Sequence, residues 1–123
     1  IPDAIEYLLQ EIKKQGLVPE QVIVEVTEDE MISGFSQFSS AIKKLRVSGM
    51  GLAIDDFGAG YAGLSLLTKI QPDKVKIDRE IITDIHQSGP KQAVVRSIIN
   101  CCRELEIAVV AEGIERIEEW CWL

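Results

Sequence analysis

The stretch Gly51-Leu52-Ala53-Ile54-Asp55-Asp56-Phe57-Gly58-Ala59-Gly60-Tyr61 runs a short apolar segment into two adjacent carboxylates and a glycine turn. Read as a strand, it delivers both aspartates to its C-terminal end, where a parallel sheet gathers its ligands. Carboxylates held this close repel each other unless a positive charge lies between them, and a divalent cation serves best. The competing reading has Asp55 capping a turn and Asp56 solvated, the common fate of an acidic loop. The stretch by itself leaves both open.

Three further segments share its form. Residues 21–26 are rich in β-branched side chains, with Val22, Val24 and Val26 on one face and Ile23 with Glu25 on the other. Residues 74–78 send Lys74, Lys76 and Asp78 one way and Val75 with Ile77 the other, and residues 107–112 end in Glu112. Between them lie helical patterns: Asp3 to Gln15, with Asp3 as cap and Glu6 in capping-box position; Phe35 to Val47, with a stripe of Phe35, Phe38, Ile42 and Leu45; a short turn around Leu64 to Ile70; and a helix to Glu104 opened by Pro90 at its first position, its stripe including Val94, Ile98, Cys101 and Leu105. Strands alternating with helices predict an α/β fold with four parallel strands adjacent in chain order.

Every predicted strand ends in charge: Glu25, then Asp55 and Asp56, then Lys76 and Asp78, then Glu112. A parallel sheet puts these ends on one face. Carboxylates around hard cations, with a lysine to steer an anion or a water, account for all of them together.

Composition narrows the classes. The 123 residues suffice for one core, and 46% hydrophobic with 27% charged residues is a globular balance. The net charge of −7 argues against broad nucleic-acid binding, including DNA. The longest apolar run, Ile107 to Ala111, is too short for a membrane span. Cys101, Cys102 and Cys121 give neither a disulfide framework nor zinc spacing, and with the single His86 they read as packing or surface residues in a reduced, cytoplasmic setting. The start at Ile1-Pro2 and the apolar end Trp120-Cys121-Trp122-Leu123 suggest a piece of something longer.

Glu25-Val26-Thr27-Glu28, Asp55 to Tyr61, Lys76-Ile77-Asp78 and Glu112-Gly113-Ile114-Glu115 resemble, in order and spacing, the motifs of EAL-domain cyclic-di-GMP phosphodiesterases. The surrounding sequence is most similar to EAL modules attached to blue-light-sensing BLUF domains. The resemblance implies a (β/α)₈ barrel of about 250 residues, of which this chain would be a partial domain, roughly the C-terminal half. It implies two divalent metal ions, Mg²⁺ or Mn²⁺, with Glu25 on the first, Asp55 on both, and Asp56 and Glu112 on the second. Lys76 would hold the attacking water, Glu28 would fix the glycine loop, Glu115 would support the site, and Asp78 would lie near the substrate. The implied reaction is hydrolysis of cyclic-di-GMP to linear pGpG in bacterial signalling, within a homodimer controlled by an upstream sensory domain.

The family's naming Glu-Ala-Leu glutamate, an asparagine ligand and a later glutamine have no counterpart here, so this chain alone is expected to be inactive. Ala62-Gly63 stands where many members carry two serines. A catalytically silent EAL module that binds cyclic-di-GMP or dimerises is the alternative. A receiver-like domain fits poorly, because no strand separates the Asp pair from Lys76.

Overall fold

The computed structural model describes residues 2–58 and 63–123, without the side chains of residues 2–4, 35, 37 and 63. The glycine turn at Ala59 to Tyr61 and the Ala62 substitution therefore lie outside the described residues. Helix α1 (Pro2–Lys14) leads through a 3₁₀ turn to β1 (Ile23–Thr27), then α2 (Glu28–Ser33), α3 (Phe35–Ser48) and β2 (Gly51–Phe57). A 3₁₀ turn and α4 (Leu66–Lys69) precede β3 (Lys74–Ile77), followed by α5 (Arg79–Ile82), a 3₁₀ turn and α6 (Gly89–Glu104). The chain closes with β4 (Ala108–Ala111) and α7 (Ile117–Trp122).

The four strands form one parallel sheet in the order β1-β2-β3-β4. Sequential order is that of an arc of a (β/α)₈ barrel. A receiver-like, doubly wound sheet would interrupt it in the middle. One face of the sheet packs under the helices: Ile54, Phe57, Val75 and Ile77 are buried against Leu45, Leu67, Ile82, Ile85 and Val95. Val24 and Val26 lean on the same core, whereas Ile23 and Glu25 are exposed on the other face. Alternation along β1 and β3 thus runs as the sequence predicts.

At the N-terminal end of the strands Asp73 works as a clasp. Its Oδ2 accepts from the Leu52 amide at 2.8 Å and from Arg46 at 2.7 Å, and its carbonyl accepts from the Ala108 amide. One residue thereby ties β2, the lead into β4 and α3 together, leaving the opposite strand ends for chemistry.

Several local expectations need correction. Helix α1 already includes Pro2, so Asp3 lies inside its first turn rather than capping it. Pro90 is the second residue of α6; Ser88 caps it and Gly89 comes first. The buried stripe of α6 is Val95, Ile98 and Cys102, while Val94 is 45% exposed, because the helix is turned by about one residue from the expected face. Glu28 opens a helix for which the sequence pattern had no expectation: Thr27 Oγ1 accepts from the Glu30 amide at 3.1 Å, and Glu30 reaches back to the Thr27 amide. That reciprocal cap makes α2 possible at only six residues.

Candidate functional site

The site begins with a bulge. Ile54 pairs with Val75 and Phe57 with Ile77, so Asp55 and Asp56 together occupy the span opposite the single residue Lys76. Asp56 takes a left-handed conformation with φ 52, and Gly58 follows at φ 98. The extra residue lets Ile54 and Phe57 both stay in the core while two consecutive carboxylates gather at the strand end. Simple alternation would have sent one of them to each face.

Glu112 comes to the same place from the residue after β4. One carboxylate oxygen each from Asp55, Asp56 and Glu112 lies within 4.8 Å of the others. The crowding is visible in their acidity. The Glu112 carboxyl is pushed above its ordinary value, first by a hydrogen bond with Asp55, then by burial and by the negative charge of Asp55. Asp56 is also pushed up, by partial desolvation first and then by Asp55, Asp78 and Asp29. A cation would reverse both effects.

Lys76 stands between this cluster and β1. Its ammonium pairs with Glu25 on β1, and this hydrogen bond is the main cause raising its pKa; Glu112 and Asp55 raise it further. Lys76 is therefore a fixed positive charge and a proton donor in hydrogen bonds, not a base.

Around these groups two buried carboxylates hold backbone. Glu28, 1% exposed, accepts from the Gly58 amide at 3.3 Å, joining the start of α2 to the turn after Asp56. Glu119, 2% exposed, accepts from the amides of Asp84, Glu115 and Arg116. Glu119 is the residue the sequence reading missed. Its only signal was a glutamate three places after Arg116, at the spacing of a helix cap. Glu115 itself is exposed, and its amide rather than its side chain makes the contact to Glu119. Asp78 caps α5, accepting from the Glu80 amide at 3.1 Å, with its charge still felt at Asp56.

All-oxygen donors of this kind suit hard divalent cations. The residues fit such an ion on their own chemistry: three convergent carboxylates, of which Asp56 is made reluctant to ionise by desolvation and then Asp55, and Glu112 first by its hydrogen bond with Asp55. A second candidate cluster is formed by Asp84, His86 and Glu119.

The EAL domain family model matches residues 2–123. The chain is 57% identical over 122 residues to the blue light- and temperature-regulated antirepressor BluF of Escherichia coli K12, covering 99% of this chain and 30% of BluF. It is 35% identical over 103 residues to the cyclic di-GMP phosphodiesterase RocR of Pseudomonas aeruginosa, covering 85% of this chain and 26% of RocR. The structure of Klebsiella pneumoniae BlrP1 with manganese and cyclic-di-GMP superposes with a TM-score of 0.95 at 59% identity, over 99% of this chain and 31% of BlrP1. The chain thus spans less than a third of each of these proteins.

Proposed function

The chain belongs to the EAL domain family, and on that footing we propose that the protein carrying it hydrolyses cyclic-di-GMP to linear pGpG, with residues 1–123 forming part of the catalytic domain. The observation that carries this reading is the convergence of Asp55, Asp56 and Glu112 within 4.8 Å beside Lys76. RocR, named a cyclic di-GMP phosphodiesterase, and the BlrP1 complex with manganese and cyclic-di-GMP lend support.

In this reading two divalent ions, Mg²⁺ or Mn²⁺, would be held by Glu25, Asp55, Asp56 and Glu112, with Asp55 common to both. When bound, such ions acidify water and offset charge on a phosphodiester. The chain's own residues do the rest. Lys76, kept protonated by Glu25, donates a hydrogen bond that orients the attacking water and faces the anionic phosphate. Glu112, beside Asp55 and Asp56 in the same cluster, is placed to take the proton that the water loses. Water adds at phosphorus, the bond to the 3′ oxygen breaks, and a 5′-phosphate and a 3′-hydroxyl result. Glu28 keeps the turn after Asp56 in place through Gly58, and Asp78 and Glu115 flank the site.

The three cysteines are free thiols, and among the described residues no helix is long and apolar enough to cross a membrane. A cytoplasmic enzyme, working as a homodimer under an upstream sensory domain as the likeness to BluF suggests, is consistent with both. The 123-residue chain alone supplies too few ligands to fix two ions and is proposed to be inactive by itself.

A second reading has one observation in its favour: BluF, at 57% identity, is named an antirepressor. The domain would then bind cyclic-di-GMP or a partner without turnover. One experiment separates the two. Full-length protein is incubated with cyclic-di-GMP and Mn²⁺, and nucleotides are resolved by chromatography. Release of pGpG that is lost in Asp55→Asn supports hydrolysis; binding without pGpG supports the silent module.

A further inference from the structure

Glu28 and Glu119 are the two buried charged residues among those described, and they are arranged alike. Glu28 grips the turn that follows Asp56. Glu119 grips the loop that follows Glu112. Its Oε1 accepts from the amides of Glu115 at 2.9 Å and Arg116 at 3.0 Å, and its Oε2 accepts from the amide of Asp84 at 2.6 Å.

These three donors belong to two different loops. Asp84 lies beyond β3 and α5 in a left-handed conformation with φ 57, whereas Glu115 and Arg116 lie beyond β4. Glu112 is fixed on one side by the strand, where Ala111 pairs with Ile77. On the other side nothing regular holds it, since residues 112–115 belong to no helix or strand. The Glu119 carboxylate is the anchor on that side, binding the Glu115 amide three residues past Glu112. Between them Gly113, at φ 80, lies under Arg79, whose Cγ would be 2.6 Å from a Cβ there. The segment bearing Glu112 is thereby held at both ends, with the Arg79 side chain close against Gly113 between them.

We propose that Glu119 is a positioning residue for the cation site: it sets the place of Glu112 by binding the backbone of the loops after β3 and β4. This rests on the reading of Glu112 as a metal ligand. A buried anion satisfied by three amides is stable as a charge, and its pKa is lowered chiefly by the Asp84 and Glu115 amides. The same three bonds satisfy the Glu119 carboxylate of the Asp84, His86 and Glu119 cluster without a second cation. Supporting groups of this kind commonly change metal affinity by about 10–100-fold.

The test uses full-length protein and Mn²⁺ alone, with binding followed by the electron paramagnetic resonance of free Mn²⁺ and turnover measured separately. Glu119→Gln keeps the shape but has one acceptor oxygen and turns an amide donor toward a backbone N–H, so at least one of the three bonds is lost. Mn²⁺ affinity is expected to fall about tenfold or more. Ile12→Val, a core change in α1 remote from these loops, lowers stability without altering it. Affinity and turnover of Glu119→Gln within twofold of the parent would overturn the proposal, whatever its melting temperature. Glu112→Gln run alongside separates the two ideas. If it too leaves Mn²⁺ binding unchanged, the site reading fails; if it alone abolishes binding, only the anchor fails. Should Glu119→Gln not fold, hydrogen exchange on the unaltered protein without Mn²⁺ decides. Amides of Asp84, Glu115 and Arg116 exchanging at least tenfold more slowly than that of Glu118 support the anchor, and exchange at free-amide rates overturns it.

Discussion

Glu25 and Lys76 form an ion pair across an entire strand, because β1 and β3 are separated by β2. On the strand between them Ala53 lies opposite Glu25 in one register and, in the other, opposite Lys74, two residues before Lys76. Ala53 is fully buried, yet it stands outside the apolar cluster under the helices. Ala53→Leu is therefore expected to push Glu25 and Lys76 apart, while leaving a folded sheet. Turnover should drop on the order of tenfold or more, with KM changed less than kcat. Lys76→Ala, which removes the donor itself, should cost on the order of 10²-fold or more. Activity of Ala53→Leu equal to the parent would show that the pair plays no part in the reaction.

Gly58 is constrained twice over. Its φ of 98 is a conformation that side chains rarely adopt, and an added Cβ would collide with Ile81 Cδ1. The Ile81 methyl can move, but the backbone strain remains. Gly58→Ala is expected to cost about 1–3 kcal/mol and to lower the melting temperature by several degrees. Glu28→Ala leaves the Gly58 amide without its acceptor at a similar cost, about 1–3 kcal/mol. The two residues meet at one bond, so the double variant should lose less than the sum of the singles. Strict additivity in thermal unfolding would mean that the 3.3 Å contact carries no energy.

The order of strands and the gathering of charge at their ends were legible because each rests on local pattern. Val75 and Ile77 alternate with Lys74 and Lys76, and the sheet obeys that alternation. The bulge at Asp55 and Asp56 was not legible. Nothing in Ile54 to Phe57 marks an extra residue until Val75 and Ile77 supply the register. The face of α6 was misjudged by one position because Val94 and Val95, like Cys101 and Cys102, are adjacent apolar pairs. Only the packing of the whole sheet chooses between members of such pairs. Helix α2 could have been found, since Thr27 and Glu30 have the spacing of a capping box. Glu119 could not, because its three donors come from loops more than thirty residues apart in the chain.

The α6 correction has a chemical consequence. Cys102 faces the core at 0% exposure, and burial, with Cys101 beside it, pushes its thiol from 9.0 up to about 11. Cys121 is exposed and Cys101 half-buried. A thiol reagent at pH 8 should modify Cys121 fast, Cys101 more slowly, and Cys102 only on unfolding, because the thiolate is the reactive form. Mass mapping of partly labelled protein checks this. Equal labelling of Cys102 and Cys121 would place the α6 stripe where the sequence pattern first suggested.

Glu119 also predicts how acid unfolds the protein. Its folded-state pKa lies below the ordinary 4.5, owing first to the Asp84 and Glu115 amides. A depressed carboxyl contributes stability above the unfolded pKa and loses it as pH falls through the folded value. Asp56 and Glu112 have the opposite sign: their pKa values are raised, so protonation relieves crowding in the folded state. Total acid stability therefore mixes the two, and only a difference isolates Glu119. The melting temperature of the parent should exceed that of Glu119→Gln at pH 6 to 7. The gap should hold down to about pH 4.5, the ordinary value for the group, and then close as Glu119 is protonated. Thermal scans of both proteins across this range measure it directly. A gap that stays constant to below pH 3 would mean that the charge on Glu119 is irrelevant and that only its shape fills the space.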